Sequence, residues 1–495
     1  MKNVPFGRYF LFGAGHFALS MKHYLEKHGI RFDGVIVTKK KCNIFDETPV
    51  FEPNEVIGYS SDCCVFFALG EKYHCEVEQM LRSYGFDNFV KYSDDELDQH
   101  YYDDNNLKRI LTERYREKLP VKMEKPKSWN RILVIRLDGI GDMVLATPFF
   151  RELRRKCPDS RISLITSKVS YNLFEYCPYL DEVIPIDWKG ELMNSSEVVD
   201  QLENAKKIME KIFHDVAFDV AIVPRYDTDY YGASYLALFS GAPYRAAFSE
   251  NINEDKKKKN KDCDLIFSHT VLVAGVFHEV ERSVQFLHAM GIESVNDSLE
   301  LWADKNDYCI VNGILKSDDA NFSKTLIAIG LSAGIRSRIW PYDRYLSLIK
   351  EIVSSYHNSC VFVLFGGENE LHQAKCIEDE LGDNVVINLC GKVTLRQVFL
   401  IMKYAKLFIG HDTGLMHIAA AAKCAVVEIC ATPPNAPKNH SSSILRFGPW
   451  QTKCEILRPK DGYWDDGWRN SNGDFAICDI KIDEVMEAVN RMMQE

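Results

Sequence analysis

The chain of 495 residues is 46% hydrophobic and 26% charged, ordinary proportions that exclude a disordered or fibrous protein; at roughly 150 residues per domain they provide for about three domains. A formal net charge of -11 excludes a general nucleic-acid binder, whose basic surface supplies most of its affinity. The 15 cysteines are scattered, odd in number and without a CxxC pair, so they read as reduced core cysteines rather than a disulfide frame or a zinc site.

The opening MKNVPFGRYFLFGAG leads straight into a strand and a glycine turn instead of a cleavable signal. No run of roughly 18 apolar residues occurs, so a cytoplasmic chain with at most peripheral contact with the inner membrane is expected. Over residues 8–92, strand signals at 9–12, 34–38 and 64–69 alternate with helical stretches, which predicts a small parallel α/β unit. Its turn Gly13-Ala14-Gly15 lacks the third glycine of a dinucleotide fingerprint, and Thr38-Lys39-Lys40 brings no acidic residue to hold a ribose. A Rossmann-like accessory domain over 1–92, through which a homo-oligomer could form, is favoured over dinucleotide binding. Residues 93–126 turn charged and tyrosine-rich, with Leu107, Ile110, Leu111 and Tyr115 at helical spacing; this predicts a linker helix, ended by Lys125-Pro126-Lys127.

The region 127–310 opens with a continuous apolar strand at 132–135. Asp138-Gly139-Ile140-Gly141-Asp142 then turns into a helix carrying Phe149, Phe150 and Leu153. The turn sets the carboxylate of Asp142 at a helix mouth, where it fits a proton acceptor and equally an N-cap. Further strands are predicted at 162–165, 183–186 and 220–223. Arg225 follows the last of these, and it either holds an anionic group of an acceptor or caps a neighbouring helix. The lysine-rich run 255–262 reads as a solvated mobile loop or, more sharply, as a lid that meets an anionic acceptor or lipid surface.

In the region 311–495, strands are predicted at 326–329, 361–365, 385–388, 407–409 and 425–429, and a last helix at 482–493. An irregular aromatic tail with Trp450, Trp464, Trp468 and Cys478 precedes that helix. The loop after the first strand holds Ser332, Arg336 and Arg338 before Trp340-Pro341 opens a helix. Gly366-Gly367 precede Glu368 and Glu370 after the second. His411-Asp412-Thr413-Gly414 breaks the fourth strand and starts a helix that is apolar almost all round. The unpaired amides and partial positive charge of that helix start make a seat for a phosphate, although Asp412 and Thr413 fit equally as plain helix caps. His411, Asp412 and His417 gain no further ligand at a convincing spacing, so no metal site is expected, and His417 reads as a buried, hydrogen-bonded histidine.

Four of these stretches stand in order: RLDGIGDMVLATP at 136–148, SRIWP at 337–341, LFGGENE at 364–370 and GHDTGLMHIAAA at 410–421. Over 131–482 the sequence resembles glycosyltransferase family 9, the heptosyltransferases of bacterial lipopolysaccharide assembly. The resemblance implies an α/β, GT-B-like architecture of two facing Rossmann-like domains behind the smaller leading one, with an acceptor half at 127–310 and a nucleotide-sugar donor half at 311–495. It implies inverting, metal-independent transfer of a heptose-like sugar from an ADP-heptose-like donor, bound as substrate without any cofactor. The acceptor would be a hydroxyl of a glycan, a lipid-linked saccharide or a protein. In related enzymes the acidic residue of this glycine turn is the base, which gives that role to Asp142. Donor binding falls to Ser332, Arg336, Arg338, Glu368, Glu370, Asp412, Thr413, Gly414 and His417, with the ribose on Glu368 or Glu370. Arg136 and Arg225 stand as acceptor-binding candidates. The family usually carries lysine where this chain has Arg338, which keeps the charge but changes the hydrogen-bond geometry. A nucleotide-sugar epimerase of the same fold would need more acid/base residues in the cleft, and a non-catalytic sugar-nucleotide binder would have lost Asp142.

Overall fold

The computed structural model describes residues 7–13, 18, 21–22, 25–26, 29–40, 43–45, 48–92, 106–120, 129–214, 216–316, 324–465 and 467–494. Most of the helix expected after the turn at 13–15 lies outside them, as do the linker's flanks and its boundary at 125–127. The chain divides into two compact units, 1–119 with 189–214, and 120–188 with 215–495.

The first unit is built on the strands β1 (Arg8–Phe12), β2 (Gly34–Ile36), β3 (Ile44–Phe45), β4 (Thr48–Phe51), β5 (Cys63–Phe67) and β6 (Phe89–Lys91). They form a six-stranded sheet ordered β3-β4-β2-β1-β5-β6, parallel except for the β3–β4 pair. Leu11 of β1 packs with Val35, Val50 and Phe66, while Phe10 and Phe12 pack with Ile36, Val65 and Phe67 in a second cluster. Both faces of the sheet are therefore covered, as parallel sheets require. The helix Leu107–Arg114 buries Leu107, Ile110 and Leu111, the residues whose spacing predicted it, and Asn106 caps it by accepting from the Arg109 amide at 3.0 Å. The helix Val198–Ile212 belongs to the same unit, and the Tyr115 hydroxyl donates to Glu203 on it.

The second unit holds two more sheets. The strands β7 (Arg131–Arg136), β8 (Arg161–Ser167), β9 (Glu182–Ile186), β10 (Val220–Val223), β11 (Tyr244–Phe248) and β12 (His269–Val271) make one, ordered β12-β11-β10-β7-β8-β9. The strands β13 (Thr325–Gly330), β14 (Cys360–Phe365), β15 (Val386–Asn388), β16 (Leu407–His411), β17 (Ala425–Ile429) and β18 (Cys454–Leu457) make the other, ordered β15-β14-β13-β16-β17-β18. All their pairings are parallel, and Ile132 to Ile135 of β7 are each 0% exposed, which is why such strands read as unbroken apolar runs.

Each of these sheets starts at its centre, winds outward one way and then the other, so strand order reverses between β7 and β10 and again between β13 and β16. Ligands of open α/β sheets bind outside the carboxyl ends of the strands at such reversals. The turn leading to Asp142 follows β7, Arg225 follows β10, the loop with Arg338 follows β13 and Thr413 follows β16. One apolar cluster joins the two halves, with Met143, Val144 and Phe150 from the first and Met416, Ile418 and Ala419 from the second.

The lysine-rich run is not the solvated loop expected from its charge. Residues Glu254–Lys259 form a helix capped by Asn253, and Lys256 is turned inward, donating from Nζ to the Arg225 carbonyl at 2.8 Å. Four successive lysines on a helix point four ways, so burying one leaves the others in water. No helix among the described residues is long and apolar enough to cross a membrane.

Candidate active site

The turn after β7 is organised by Asp138. Its carboxylate accepts from Arg136 Nε at 2.6 Å and from Arg225, and its carbonyl accepts from the hydroxyls of Ser167 at 3.2 Å and Ser170 at 3.0 Å. Burial pushes this carboxyl up, but the charges of Arg225 and Arg136 prevail and hold it below the usual carboxylate range. Asp142, four residues on and half-buried in the first turn of the helix Ile140–Leu145, goes the other way. Burial and then the charge of Asp138 raise it to about 7, against the pull of Arg225 and Arg136. A half-buried carboxyl poised near neutrality has the proton affinity a general base needs. Arg136 and Arg225, the acceptor-binding candidates, both direct a guanidinium at Asp138; Arg225 Nε also donates to the Thr228 carbonyl at 2.7 Å, and Arg136 Nη1 has no hydrogen-bond partner among the described residues.

Behind Asp142 lies a group with no local sequence signal. Arg446, 2% exposed and carried by the second half, donates from Nε to Glu279 at 2.9 Å and from Nη2 to Asp227 at 2.6 Å, both on the first half. Arg282 lies 3.0 Å from Glu279 and stacks on Tyr226 with its guanidinium carbon 3.4 Å from the ring centre. Glu279 is raised by burial and adds its own upward push on Asp142.

In the second half, Arg338 Nη1 pairs with Asp412 Oδ2 at 3.2 Å. Burial raises Asp412 despite Arg338. Glu428, in register with Gly410 on the adjacent strand, is raised to about 8 by burial and then by Asp412. Thr413 is extended, with φ -151° and ψ 173°, and does not cap the helix Gly414–Ala421. Neither its hydroxyl nor Nδ1 of the buried His417 has a hydrogen-bond partner among the described residues, so the hydrogen-bonded His417 expected from the sequence is not what the structure holds. Burial and then His278 push His417 down to about 3, so it is a neutral ring. Both residues belong to the start of the helix Gly414–Ala421, the kind of place where a phosphate would sit.

The remaining candidates divide by exposure. His411 is structural: Nε2 accepts from the Trp340 amide at 2.8 Å and lies 3.0 Å from the Tyr345 hydroxyl, and Nδ1 lies 3.3 Å from the Ser332 carbonyl. Ser332 is half-buried and Arg336 is exposed. Glu370 is 6% exposed and its carboxylate accepts from the Gly367 amide at 2.8 Å, whereas Glu368 is exposed at the end of β14. Among the described residues no group of three or more His, Cys, Asp or Glu is arranged to hold a metal.

The two loops meet directly. A Cβ on Gly141 would lie 2.7 Å from Cδ2 of His417, and one on Gly414 would lie 2.5 Å from Cγ2 of Ile140. The glycines of both motifs let the two helix starts touch, which brings the turn of Asp142 against the seat formed by Thr413 and His417.

Comparison with known proteins agrees with this geometry. The model of glycosyltransferase family 9 (heptosyltransferase) matches residues 218–456. Lipopolysaccharide heptosyltransferase 2 of Salmonella typhimurium is 21% identical over 383 residues, 74% of this chain and 99% of that protein. The lipopolysaccharide core heptosyltransferase OpsX of Haemophilus influenzae is 21% identical over 384 residues, 76% of this chain and 99% of that protein. Among solved structures, the family 9 glycosyl transferase of Veillonella parvula superposes with a TM-score of 0.60 at 21% identity, covering 76% of this chain and 99% of that one. The ADP-heptose lipopolysaccharide heptosyltransferase II of E. coli superposes with a TM-score of 0.53 at 19% identity, covering 74% and 98%. The match to the family model over 218–456 and the heptosyltransferases matched along nearly their whole length show a glycosyltransferase, similar to glycosyltransferase family 9.

Proposed function

We propose that the protein transfers a heptose-like sugar, with inversion, from an ADP-heptose-like donor to a hydroxyl of a lipopolysaccharide core saccharide. The contact of Gly141 with His417 carries this reading, because it sets a carboxyl of near-neutral proton affinity beside a phosphate seat. The names of the relatives, lipopolysaccharide heptosyltransferases, support the choice of sugar and acceptor.

In this reading the diphosphate lies on the amides following Thr413, with the Thr413 hydroxyl and His417 Nδ1 completing its hydrogen bonds. Arg338 moves between Asp412 and the phosphates and neutralises the charge that grows on the leaving group. Glu368, exposed and without a carboxylate partner among the described residues where that of Glu370 is spent on Gly367, holds the ribose hydroxyls. Asp142 takes the proton of the acceptor hydroxyl as its oxygen attacks the anomeric carbon. The new C–O bond forms on the face opposite the breaking bond to phosphate, and the nucleoside diphosphate leaves with the electron pair. Asp138, Arg136 and Arg225 hold the turn and set the proton affinity of Asp142.

The test is transfer from ADP-heptose to heptose-deficient core lipopolysaccharide, followed by mass spectrometry of the product, with Asp142→Asn alongside. One added heptose per acceptor is expected, formed roughly 10²–10⁴-fold more slowly by the variant. ADP-heptose consumption without any glycosylated product would overturn the acceptor assignment, and no binding of ADP-heptose would overturn the donor.

A further inference from the structure

Two aromatic side chains from separate parts of the first half meet beside the turn of Asp142. Trp188 follows β9 and Tyr231 follows β10, and in the sheet β7 and β8 lie between those two strands. Their rings are nevertheless in contact, with centres 4.7 Å apart and planes at 74°, so the pair reaches over the carboxyl ends of β7 and β8. The turn that leads to Asp142 sits at the same strand ends: it follows β7, and the Asp138 carbonyl accepts at 3.2 Å from the hydroxyl of Ser167, the last residue of β8.

Direct contacts tie Tyr231 to that turn. Arg225, whose guanidinium donates to Asp138, has its guanidinium carbon 4.8 Å from the centre of the Tyr231 ring. Burial raises the Tyr231 phenol, Arg225 pulls it back, and the charges of Asp138 and Asp142 both push it up again, so its hydroxyl lies within the field of the two carboxyls of the turn. The phenol therefore keeps its proton at neutral pH, and it is able both to donate and to accept a hydrogen bond.

The ring is fixed, yet its polar end is unused. Asp229 accepts from the amides of Tyr231 and Ala233, each at 3.2 Å, and of Ser234 at 2.8 Å, while its own amide donates to Asn260 at 2.6 Å. Lys256 holds the Arg225 carbonyl from the other side of the loop at 2.8 Å. With its backbone pinned and its ring between Trp188 and Arg225, Tyr231 has the rigidity of a preorganised binding group. Its hydroxyl makes no hydrogen bond among the described residues, and the side chain is only half-buried. A ring whose one task was to cover Arg225 would need no hydroxyl.

We infer that Tyr231 is an acceptor-binding residue, its hydroxyl hydrogen-bonded to a sugar hydroxyl next to the one that attacks, with Trp188 and Arg225 holding its ring in place. This rests on the glycosyl-transfer reading above and adds to it a group that orients the acceptor. In that reading the attacking hydroxyl comes within roughly 2.6–3.2 Å of Asp142 to give up its proton, so the rest of its sugar ring lies beside the turn. The donor phosphates belong to Thr413 and His417 on the second half, which leaves the ends of the first-half strands to the acceptor. A saccharide that offers one hydroxyl to Asp142 carries others on the same ring, and a second contact fixes which of them attacks.

The test is Tyr231→Phe, which deletes the hydroxyl and keeps the ring over Arg225. The intact protein, saturated with ADP, is titrated calorimetrically with heptose-deficient lipopolysaccharide freed of its ester-linked acyl chains, and separately with ADP-heptose; initial rates are followed against pH. Acceptor affinity should weaken roughly three- to tenfold, the net worth of one hydrogen bond, and the acceptor KM should rise by the same factor with kcat nearly unchanged. Affinity for ADP-heptose and the limb of kcat/KM near pH 7 should stay as in the wild type, and melting curves check that the fold is intact. Equal acceptor affinity in Tyr231→Phe overturns the inference. So does a shifted limb with acceptor affinity intact, which would make Tyr231 a residue acting through Arg225 on Asp142, and so does a loss confined to ADP-heptose, which would assign the hydroxyl to the donor. A wild-type protein that binds ADP-heptose but not this saccharide overturns the acceptor reading, and the inference falls with it; failure to bind ADP-heptose counts against the donor reading itself.

Discussion

Gly141 faces the imidazole of His417 so closely that a single methyl group at 141 would sit 2.7 Å from the ring. His417 is buried, so it has nowhere to withdraw. Gly141→Ala should cost about 1–3 kcal/mol of stability through overpacking and should reduce transfer by displacing one helix start from the other. Gly139, two residues earlier, has open space around it and a φ of -68°. Gly139→Ala should therefore stay within about 0.5 kcal/mol of wild type. Urea midpoints of the two variants separate these outcomes, and equal midpoints would show that the helix starts are not in contact.

Asp142 links activity and stability to pH in opposite directions. A general base works deprotonated, so kcat/KM should rise with pH through about 7 and level off above it. Asp138→Asn removes a negative charge that raises Asp142, and should move this limb to lower pH while turnover on the plateau falls as the turn loosens. Asp142→Asn should lower turnover by roughly 10²–10⁴-fold with little change in donor affinity. For stability the sign is reversed. A carboxyl raised from its ordinary value to about 7 makes the fold bind an extra proton, so the stability it brings is whole at low pH and is lost as pH rises toward 7. Asp142→Asn has no proton to lose and should melt above wild type at pH 8, by a margin that shrinks toward pH 4. A constant margin would mean that Asp142 titrates normally.

The strands that carry the site were legible because they are buried on both faces. Ile132 to Ile135 and Val220 to Val223 are unbroken apolar runs, followed by Arg136 and by Pro224. Short or polar strands were not. In β11 an arginine, Arg245, lies mid-strand with Nε donating to the Ile266 carbonyl at 2.7 Å, and β12 is the three residues His269–Val271. The glycine turns were legible as sites because their residues are neighbours in sequence. Arg446 and Glu279 are 167 residues apart, and nothing in the local pattern of either announces the other. The helix within the run 255–262 was not legible because a charge count does not say which lysine, here Lys256, turns inward.

The pair of Arg446 and Glu279 gives a separate prediction about cohesion of the halves. Both side chains are buried, Arg446 at 2% and Glu279 at 6%; removing Arg446 leaves Glu279 with Arg282 alone and takes the partner from Asp227. Arg446→Ala should cost about 3–5 kcal/mol. The double variant Arg446→Met with Glu279→Gln removes both charges but also takes the carboxylate from the buried Arg282, so it should recover only part of that loss. Denaturant unfolding of the two singles and the double gives the coupling energy. A double variant as unstable as the sum of the singles would show that the pair does not act as a unit.

Arg338 is the place where donor binding and leaving-group chemistry meet. It is paired to Asp412 at 3.2 Å but stays partly exposed, so a diphosphate can share its guanidinium. Arg338→Ala should weaken ADP affinity roughly 10- to 100-fold, the worth of hydrogen bonds to a charged group, and should lower turnover further because charge grows on the leaving phosphate. Arg338→Lys keeps the charge without the planar fork, so donor binding should survive better than turnover. The donor loop offers this cation and the amides after Thr413 in place of an acidic pair that would hold a divalent ion. Transfer in excess EDTA should accordingly run near its untreated rate in the wild type. A collapse in EDTA that magnesium or manganese restores would take the charge-neutralising role from Arg338, and Arg338→Ala would then lose affinity without the additional loss of turnover.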